Sequence, residues 1–399
     1  MLPIAFTMLK FSLASLAVLH PTPGQQEALG RRGPFRLRRA WPRSGRNVSL
    51  EYTDARGQLI PGQWFADADQ LREVANETRL ASRPATARVI TIPGDGLLLQ
   101  VGGADRRLTA LAGLLADPTA QLISHRPERR AVLRLLNGQG VSYVKVVRRD
   151  DIGRLAAANE ALSALASLTN AFVVPQVQEV VEASGLIVVR AVSGTSYFQM
   201  LQETEEGASL LRVTEQIGRA LRALHQAELA PAARPHGPAE EIGVINKWLG
   251  HLQCHMPQVH ARLQPYARSI LWALEAEYSG PALLHRDFYD KQVIVGKARP
   301  ITLLDLDTLA VGEPALDLAN ALGHLELREI QGRLSGERLA RAAEALLRGY
   351  QPHTSVHRRL PVYTDATRLR LACVYSFRPG QHEVASRLAS RIGRPPPGQ

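Results

Sequence analysis

The stretch from residue 283 to 320 restricts the possible folds more strongly than any other part of the chain. A polar loop joins two short apolar runs there, and acidic residues stand in the loop and directly after the second run. Asp287 lies in the loop, Gln292 follows five residues later, and Asp305 ends the second run. Transfer of a phosphoryl group from a nucleotide needs one carboxylate to orient the accepting hydroxyl and oxygen ligands to hold Mg²⁺. Asp287 has the position for the first role, and Gln292 and Asp305 have positions for the second.

The rest of the sequence predicts mixed α and β structure. Residues 34–120 alternate strand-like and helix-like patterns, and residues 88–101 are predicted as a hairpin around a glycine-containing turn. No Gly-Lys-Ser or Gly-Lys-Thr follows that turn, which disfavours a phosphate-binding loop there. From residue 121, short β-rich runs predict a compact antiparallel sheet, followed by a helix over residues 152–168.

Within this sheet, residues 131–136 and 141–147 are predicted to pair as a hairpin through a turn at Asn137-Gly138. The chain after residue 193 is mostly helical, interrupted by a short β interval between residues 293 and 304. One helix carries an apolar stripe at helical spacing, which we expect to face the core. The stripe consists of Leu210, Val213, Ile217, Leu221 and Leu224.

Three motifs follow one another near the acidic residues. They are His285-Arg286-Asp287, then Leu304-Asp305-Leu306-Asp307, then Gly312-Glu313-Pro314 ahead of Asp317-Leu318-Ala319. In this order they resemble the aminoglycoside phosphotransferase family, the small-molecule branch of the protein-kinase-like fold. The resemblance covers about residues 120 to 375. It implies an α+β, two-lobe fold with a small antiparallel β lobe and a larger, mainly helical lobe, here preceded by an N-terminal α+β extension.

The resemblance also implies roles for individual residues. Asp287 matches the catalytic aspartate that accepts the hydroxyl proton, and His285 and Arg286 complete the catalytic triplet. Asp317 matches the buried aspartate that holds the backbone of the catalytic loop. Arg286 departs from the family, which has glycine there, and gives a His-Arg-Asp triplet like that of protein kinases.

The resemblance assigns the Mg²⁺ ligands to Gln292 and Asp305. Gln292 replaces the asparagine that is usual in the family. Its side-chain carbonyl is an oxygen ligand too, but it lies one methylene further from the backbone, which changes where a metal ion would lie.

Lys145 stands in the middle of an apolar strand, among Val144, Val146 and Val147. A lysine in such a place is costly unless its ammonium has an anionic partner. It resembles the strand lysine that holds the nucleotide phosphates in the family; the alternative is a lysine on an edge strand facing solvent. We expect Glu160 in the following helix to pair with it, with a solvated Glu160 as the alternative, because Glu160 lies opposite the apolar stripe of that helix.

The other parts of the predicted nucleotide site are less specific. Residues 124–130 are predicted to cover the phosphates, although they contain no glycine. Val188 to Val192 resembles the hinge strand, whose backbone would hold the edge of the base. The side chains do not distinguish ATP from GTP, so we expect ATP as the cofactor with GTP as the alternative.

The acceptor is predicted to be a small molecule. Asp305 and Asp317 are 12 residues apart, which is too short for the segment that docks peptides in protein kinases. Aminoglycosides are polycations, and this chain has a net charge of +11 and no acidic cluster in its last hundred residues. Sugars, sugar alcohols and amino-alcohols therefore stand beside aminoglycosides as candidate acceptors.

The cysteine content and the N-terminal apolar run indicate the compartment in which the protein is expected. The chain has two cysteines, far apart in sequence, so no disulfide framework is predicted and a reducing, cytoplasmic environment is favoured. The apolar run at residues 11–19 is too short to span a bilayer, and no membrane association is expected. This N-terminal region could imitate a signal peptide, but no cleavage site follows it, and a misassigned start or a loose helix is favoured.

Two further patterns were weighed and set aside. Only five of the 48 basic residues are lysine, which indicates biased composition, and the arginine-rich stretch at residues 31–46 is favoured as a solvated strand over an RNA-binding segment. No nucleic-acid partner is therefore expected. His251, Cys254, His255 and His260 could suggest zinc, but no second cysteine or nearby acid completes the ligand set, and ordinary helix residues are favoured.

The predicted organisation has five parts: a segment and linker at 1–33, the extension at 34–120, the nucleotide-binding β lobe at 121–192, the helical catalytic lobe at 193–378, and a flexible tail at 379–399. The predicted function is transfer of the nucleotide γ-phosphate to a hydroxyl of a small molecule. The alternative is a non-catalytic, kinase-like binding module. The sequence leaves the oligomeric state open.

Overall fold

The structure is a computed structural model that describes residues 9–43, 47–82, 86–138, 140–203, 208–228, 233–276, 278–297 and 301–398. Its elements fall into an N-terminal sheet, a second sheet, and a mainly helical part that carries two small sheets. The second sheet and the helical part form the two lobes. The predicted α+β, two-lobe fold is therefore confirmed.

The N-terminal sheet has six antiparallel strands in the order β1-β2-β3-β4-β6-β5. Residues along β2 alternate between buried and exposed in its first half, as expected for a strand with one face on the core. The strands are β1 (Val18–Leu19), β2 (Phe35–Pro42), β3 (Val48–Thr53), β4 (Leu59–Trp64), β5 (Arg88–Ile92) and β6 (Leu97–Val101). The helices of this part are α1 (Leu13–Leu16), α2 (Pro23–Leu29) and α3 (Ala68–Ala81).

The second sheet has five antiparallel strands in the order β10-β11-β9-β8-β7. Its strands are β7 (Gln121–Arg126), β8 (Arg130–Asn137), β9 (Gly140–Val147), β10 (Val177–Val181) and β11 (Leu186–Arg190). The short helix α4 (Leu111–Leu114) precedes it, and α5 (Arg149–Thr169) follows β9. Lys145 lies on the central strand β9, opposite Val132 and Ile187, so it is not on an edge strand.

Eight helices of the described chain build the larger lobe. They are α6 (Tyr197–Glu203), α7 (Ala208–His225), α8 (Pro238–His255), α9 (Pro257–Glu275), α10 (Ala315–Ile330), α11 (Gly336–Tyr350), α12 (Thr354–Ser376) and α13 (His382–Ala389). The predicted apolar stripe of α7 is buried, which confirms its place in the core. Close packing of α7 on α11 requires glycine, because a Cβ at Gly349 would collide with the carbonyl oxygen of Glu215.

Two small sheets join the helices. One has the order β12-β15-β16 and the other the order β13-β17-β14. Their strands are β12 (Thr195–Ser196), β13 (Arg234–His236), β14 (Ala282–Leu284), β15 (Val293–Val295), β16 (Ile301–Leu303) and β17 (Ala310–Gly312). The loop between β14 and β15 carries Asp287, and the segment after β16 carries Asp305.

Two predictions about the ends of the chain were wrong. The described part of the predicted linker, residues 9–33, contains α1, β1 and α2, and β1 pairs with β2. The predicted flexible tail contains α13, and Arg368 donates hydrogen bonds to the carbonyl oxygens of Arg394 and Pro395. Burial of Arg368 requires these acceptors, and they hold the terminal segment in place.

The N-terminal sheet contacts both lobes. The Ala40 N–H on β2 donates to the carbonyl oxygen of Phe377 at 3.3 Å, and the ring of Phe11 packs against the rings of Phe377 and His255. On the other side, Arg43 forms an ion pair at 2.9 Å with Glu128 of the second sheet. No helix in the described ranges has both the length and the apolar character needed to cross a bilayer.

Replacement of Arg368 by leucine is expected to lower the free energy of unfolding by about 3–5 kcal/mol. Arg368 is fully buried and forms two hydrogen bonds with Glu326, at 2.6 and 2.9 Å, so Arg368→Leu leaves a buried carboxylate without its partner. Urea denaturation measures the change. The control is Arg341→Leu at an exposed ion pair with Glu337, where a change below about 1 kcal/mol is expected. Equal losses in both variants would contradict the assignment.

Candidate active site

Asp317, near the start of α10, fixes the loop that carries Asp287. Its carboxylate accepts hydrogen bonds from the backbone N–H groups of His285 and Arg286, each at 2.7 Å, and from Nε2 of His225 at 3.1 Å. The Asp317 side chain is fully buried. A buried carboxylate needs such donors, and donors from two successive backbone amides leave the loop little conformational freedom.

His285 and Arg286 contribute mainly to the shape of the loop. The buried ring of His285 donates from Nε2 to the carbonyl oxygen of Leu304 at 2.8 Å, which ties the loop to the segment that carries Asp305. Arg286 has a φ of 67°, in the left-handed region that favours glycine. The turn at Arg286 and the hydrogen bond of His285 together set the path of the loop before Asp287. We therefore assign His285 as a positioning residue rather than a catalytic one.

A cavity of about 400 Å³ lies between the second sheet and the β15–β16 hairpin. Lys145, Gln292 and Asp305, which come from three separate segments, line one part of it. The apolar part is lined by Ile123, Val132, Tyr143, Pro175, Val189, Val192, Ile294, Leu304 and Leu306. A flat apolar space with a few charged groups at one end suits a base and its attached phosphates.

Lys145 pairs with two aspartates rather than with Glu160. Its Nζ lies 2.7 Å from Asp307 and 3.2 Å from Asp305. Burial opposes the charge of this ammonium, but the two carboxylates outweigh burial and raise the pKa of Lys145. Glu160 is exposed, and Asn159 lines the cavity from the same helix, so the predicted Lys145–Glu160 pair was wrong. Successive residues of a helix point in different directions. Asn159 lies on the buried face of α5, and the side chain of Glu160 therefore faces solvent.

Asp305 connects the two lobes through ion pairs with residues of the second sheet. Besides Lys145, it receives Nη1 of Arg130 at 3.3 Å, and Arg130 also reaches Asp307 at 3.3 Å. Although burial acts in the opposite direction, the charges of Lys145 and Arg130 hold the pKa of the Asp305 carboxyl well below its usual range. Asp305 is therefore an anion poised beside the cavity, as a ligand for a cation must be.

The side chain of Asp287 contacts that of Gln292. Nε2 of Gln292 donates to the Asp287 carboxylate at 3.3 Å. Burial is the main cause that raises the pKa of Asp287, and the charge of Asp305 adds to it, whereas His285 and Arg370 act in the opposite direction. A carboxylate with a raised pKa is a better proton acceptor than an exposed aspartate.

The side chains present fit Mg²⁺. Asp305 and Gln292 line the same cavity and offer a carboxylate and an amide oxygen, and Mg²⁺ typically takes one or two such protein ligands together with phosphate oxygens and water. No group of three or more His, Cys, Asp or Glu side chains in the described ranges is arranged to hold a metal. The ion would therefore depend on nucleotide phosphates for the rest of its coordination.

The predicted hinge strand borders the cavity. The side chains of Val189 and Val192 line it, whereas Val188 packs on the opposite face of β11 against the core cluster that contains Leu133 and Val144. Alternation along the strand explains this, because successive side chains point to opposite faces. The role predicted for the backbone of residues 188–192, to hold the edge of the base, stays a prediction.

The predicted covering loop is held by the N-terminal part of the chain. Glu128, at the turn between β7 and β8, receives Arg43 and Arg106, each at 2.9 Å, and its backbone N–H donates to Asp105 at 2.8 Å. Glu128 has a φ of 61°, so this turn adopts a left-handed conformation without glycine. Burial alone would raise the pKa of the Glu128 carboxyl, but the two arginines outweigh burial, and the net effect is a lowered pKa. These contacts fix the position of the loop directly beside Arg130.

Sequence reasoning missed Asp307, Arg130 and Asn159. Asp307 is the second acid of the Asp-x-Asp motif, so the motif itself could have identified it. Arg130 stands in an arginine-rich loop, where composition gives no means of choosing one arginine from its neighbours. Asn159 could have been found from the phase of α5, because it lies on the buried face of that helix.

The histidines and cysteine that could suggest zinc lie on α8 and α9 without forming a metal site among the described residues. The ring of His255 instead packs edge-on against Phe11 and Trp64. In the arginine-rich stretch, Arg31 and Arg43 form ion pairs within the protein, and Arg46 lies outside the described residues.

Comparisons with known proteins agree with this geometry. The family model described as "Phosphotransferase enzyme family" matches residues 119–360, more than half of the chain. A search of the curated proteins found no match.

Solved structures were also compared. An amicoumacin kinase, hAmiN, in complex with AMP-PNP, Ca²⁺ and Ami is 11% identical, with 69% of this chain and 88% of that chain covered and a TM-score of 0.51. An aminoglycoside phosphotransferase, APH(3'')-Id from Streptomyces rimosus, in complex with ADP and streptomycin is 24% identical, with 67% and 98% covered and a TM-score of 0.47. A macrolide 2'-phosphotransferase, MphH from Brachybacterium faecium, is 19% identical, with 70% and 93% covered and a TM-score of 0.44. At these identities the likeness concerns the fold alone.

Replacement of Asp317 by asparagine is expected to lower the free energy of unfolding by about 2–3 kcal/mol, because the amide retains one acceptor oxygen for two buried backbone donors. The catalytic loop should also lose protection in amide hydrogen exchange at His285 and Arg286. Asp150→Asn, at an exposed ion pair, is the matched control with no expected change. An Asp317→Asn variant with unchanged stability and protection would refute the proposed hold on the loop.

Proposed function

Because the chain belongs to the phosphotransferase enzyme family, we propose that it transfers the γ-phosphate of ATP, or of GTP, to a hydroxyl group of a small molecule. The observation that carries this proposal is the convergence of Lys145, Asp305 and Gln292 on one cavity, with Asp287 bonded to Gln292 at its edge. An arrangement that only filled a core would not gather two acids, a lysine and an amide around an open space.

The proposed reaction forms a bond between the acceptor oxygen and the γ-phosphorus. The bond from that phosphorus to the oxygen that bridges the β- and γ-phosphates breaks, and its electron pair leaves with the nucleoside diphosphate. The hydroxyl proton passes to the Asp287 carboxylate and from there to solvent. Asp287 also orients the hydroxyl for attack, and orientation together with charge neutralisation supplies most of the rate in such reactions.

Lys145 and Arg130 would bind the phosphates, because both cations already lie beside Asp305 and Asp307 at the charged end of the cavity. Asp305 and Gln292 would hold Mg²⁺, which supplies positive charge to the phosphate oxygens when it is bound. Val189 and Val192 would pack against the base. These contacts do not distinguish adenine from guanine.

The short connection after Asp305 supports a small-molecule acceptor. A single turn of 3₁₀ helix and the three-residue strand β17 lead directly into α10 at Ala315. No part of this connection could dock a peptide. The two cysteines, Cys254 and Cys373, are free thiols, which supports the proposal that the reaction takes place in the cytoplasm.

The rival proposal is a non-catalytic, kinase-like binding module. Gln292 in place of asparagine favours it, because a longer side chain alters the metal position. Thermal stabilisation of the wild-type protein by ATP that requires Mg²⁺ would argue against this rival, whereas absence of any nucleotide binding would favour it.

Asp287→Asn is expected to reduce nucleotide-dependent phosphorylation of an identified acceptor by at least about a hundredfold, because the variant cannot accept the proton. Its affinity for Mg²⁺ and nucleotide should stay within about threefold of wild type, measured by titration calorimetry. Asp150→Asn, on the exposed start of α5, should retain full activity. Unchanged turnover in Asp287→Asn would refute the assigned role.

Two variants of Gln292 test the metal site. Gln292→Leu removes the amide oxygen, and the Mg²⁺ concentration for half-maximal rate is expected to rise by about tenfold or more. Gln292→Asn retains an oxygen and should stay closer to wild type. If the leucine variant keeps the Mg²⁺ dependence of the wild-type protein, Gln292 is not a ligand.

A further inference from the structure

The catalytic loop also presents side chains that do not line the nucleotide cavity. The rings of Tyr289 and His324 stack there, with centroids 4.2 Å apart and planes 28° apart. His324 is 8% exposed, and its Nδ1 has no hydrogen-bond partner in the described part of the chain. A buried polar atom without a partner is costly, which marks this stack as a place where a ligand group would be stabilised.

Cations surround this stack. The pKa of His324 lies well below its usual range. Burial is the main cause, and the positive charges of four side chains add to it. The four are Arg328, Arg370, Lys291 and Arg378. They come from the catalytic loop, α10, α12 and the segment after α12, so folding of the whole lobe is needed to bring them together.

Of these four, Arg328 has a carboxylate partner, Asp290, with hydrogen bonds of 2.7 and 2.9 Å. Arg370 donates to the side-chain oxygen of Asn320 at 2.5 Å. Asn320 in turn donates to the carbonyl oxygen of Phe288 at 3.0 Å, which places Arg370 close to the catalytic loop.

The remaining two cations contact aromatic rings. The guanidinium of Arg378 lies 5.0 Å from the ring centroid of Tyr375, and its Nε is buried without a partner. Nζ of Lys291 lies 4.4 Å from the ring centroid of Phe198. Over the described ranges, neither these two nor Arg370 forms an ion pair with a carboxylate within 4 Å.

The N-terminal sheet adds a further cation. Arg39 on β2 acts electrostatically on both Lys291 and Arg378. Of the acids that interact with these cations, Glu51 pairs with Arg39 at 3.7 Å, Asp290 pairs with Arg328, and Glu241, which lies near Arg370, contacts His236 at 2.9 Å. Asp287 is the remaining acid, against the three cations Lys291, Arg370 and Arg378. The positive charge next to the catalytic loop therefore exceeds the negative charge.

We propose that the acceptor is an anion, whose carboxylate or phosphate group binds to Lys291, Arg370 and Arg378 beside its reacting hydroxyl. This inference rests on the proposed phosphotransferase function and names its substrate class. Unpaired cations on one surface repel each other, and an anion both removes that repulsion and accepts the free guanidinium hydrogen bonds. A polycation such as an aminoglycoside would add to the repulsion.

The test uses the full chain, saturated with Mg²⁺ and a non-hydrolysable nucleotide. Two sets of probes, matched in skeleton and different in charge, are titrated by calorimetry. The hexose set is glucose, glucosamine, glucuronate and glucose 6-phosphate, and the three-carbon set is glycerol, serinol, glycerate and glycerol 3-phosphate. The carboxylate or phosphate member of at least one set is expected to bind about tenfold more tightly than its neutral member, and the amine most weakly. Comparison of the carboxylate with the phosphate identifies the anionic group.

Three variants locate the anion. Arg378→Gln and Arg370→Gln are each expected to weaken binding of the preferred anion by about tenfold and to leave binding of the neutral probe unchanged. Lys291 is exposed, so Lys291→Gln should fold normally and show the same selective loss. Arg268→Gln removes an exposed positive charge on α9 and serves as the control, with no expected change in any probe.

The outcomes separate the two proposals. Equal binding of anionic and neutral probes, tighter binding of the amines, absence of anion binding in both sets, or a loss that is the same in Arg268→Gln would each overturn the anionic acceptor. Failure of the wild-type protein to bind Mg²⁺ and nucleotide in the first titration would instead count against the proposed phosphotransferase function, independently of the probe results.

Discussion

The hydrogen bonds from two successive backbone amides to Asp317 are the constraint on which the site depends. They hold the catalytic loop in a left-handed turn at Arg286, and that turn directs Asp287 toward Gln292. His285 extends the same constraint to the next strand through the carbonyl oxygen of Leu304. One buried carboxylate on α10 therefore sets the relative positions of groups that belong to two different loops, and it does so without touching any reacting atom.

A second set of charges joins the lobes. Lys145 and Arg130 of the second sheet meet Asp305 and Asp307 of the helical lobe. The two aspartates together stabilise the two cations, so the cleft is electrically balanced before a nucleotide contributes its own charge. Near His324, Lys291, Arg370 and Arg378 lack such partners among the described residues, which is the basis of the proposed anionic acceptor. The two sides of the catalytic loop therefore attract different chemistry.

The hairpins and the α7 stripe could be predicted from the sequence because each depends on local spacing, whereas the two-lobe fold was implied by the resemblance of three motifs to a known family. The motifs and the apolar strand also contain the residues that line the charged part of the cavity, Lys145, Gln292 and Asp305. The Glu160 pairing was wrong because a helix presents adjacent residues to different surroundings, and the structure places Asn159 at the cavity. The ordered segment after α13 was missed because Arg368, which holds Arg394 and Pro395, lies in another element. The cations around His324 share no local pattern, so only the folded chain brings them together.

The attachment of Glu128 to Arg43 and Arg106 has a mechanical consequence. Many two-lobed enzymes admit and release their ligands by swinging one lobe about a hinge. Here the N-terminal part of the chain contacts the β7–β8 turn of the second sheet through Arg43. It contacts the helical lobe through the hydrogen bond from Ala40 to Phe377, so it connects the two lobes. A hinge motion that separates the lobes would therefore have to break the contacts at Glu128 or at Ala40, or carry the N-terminal sheet with it.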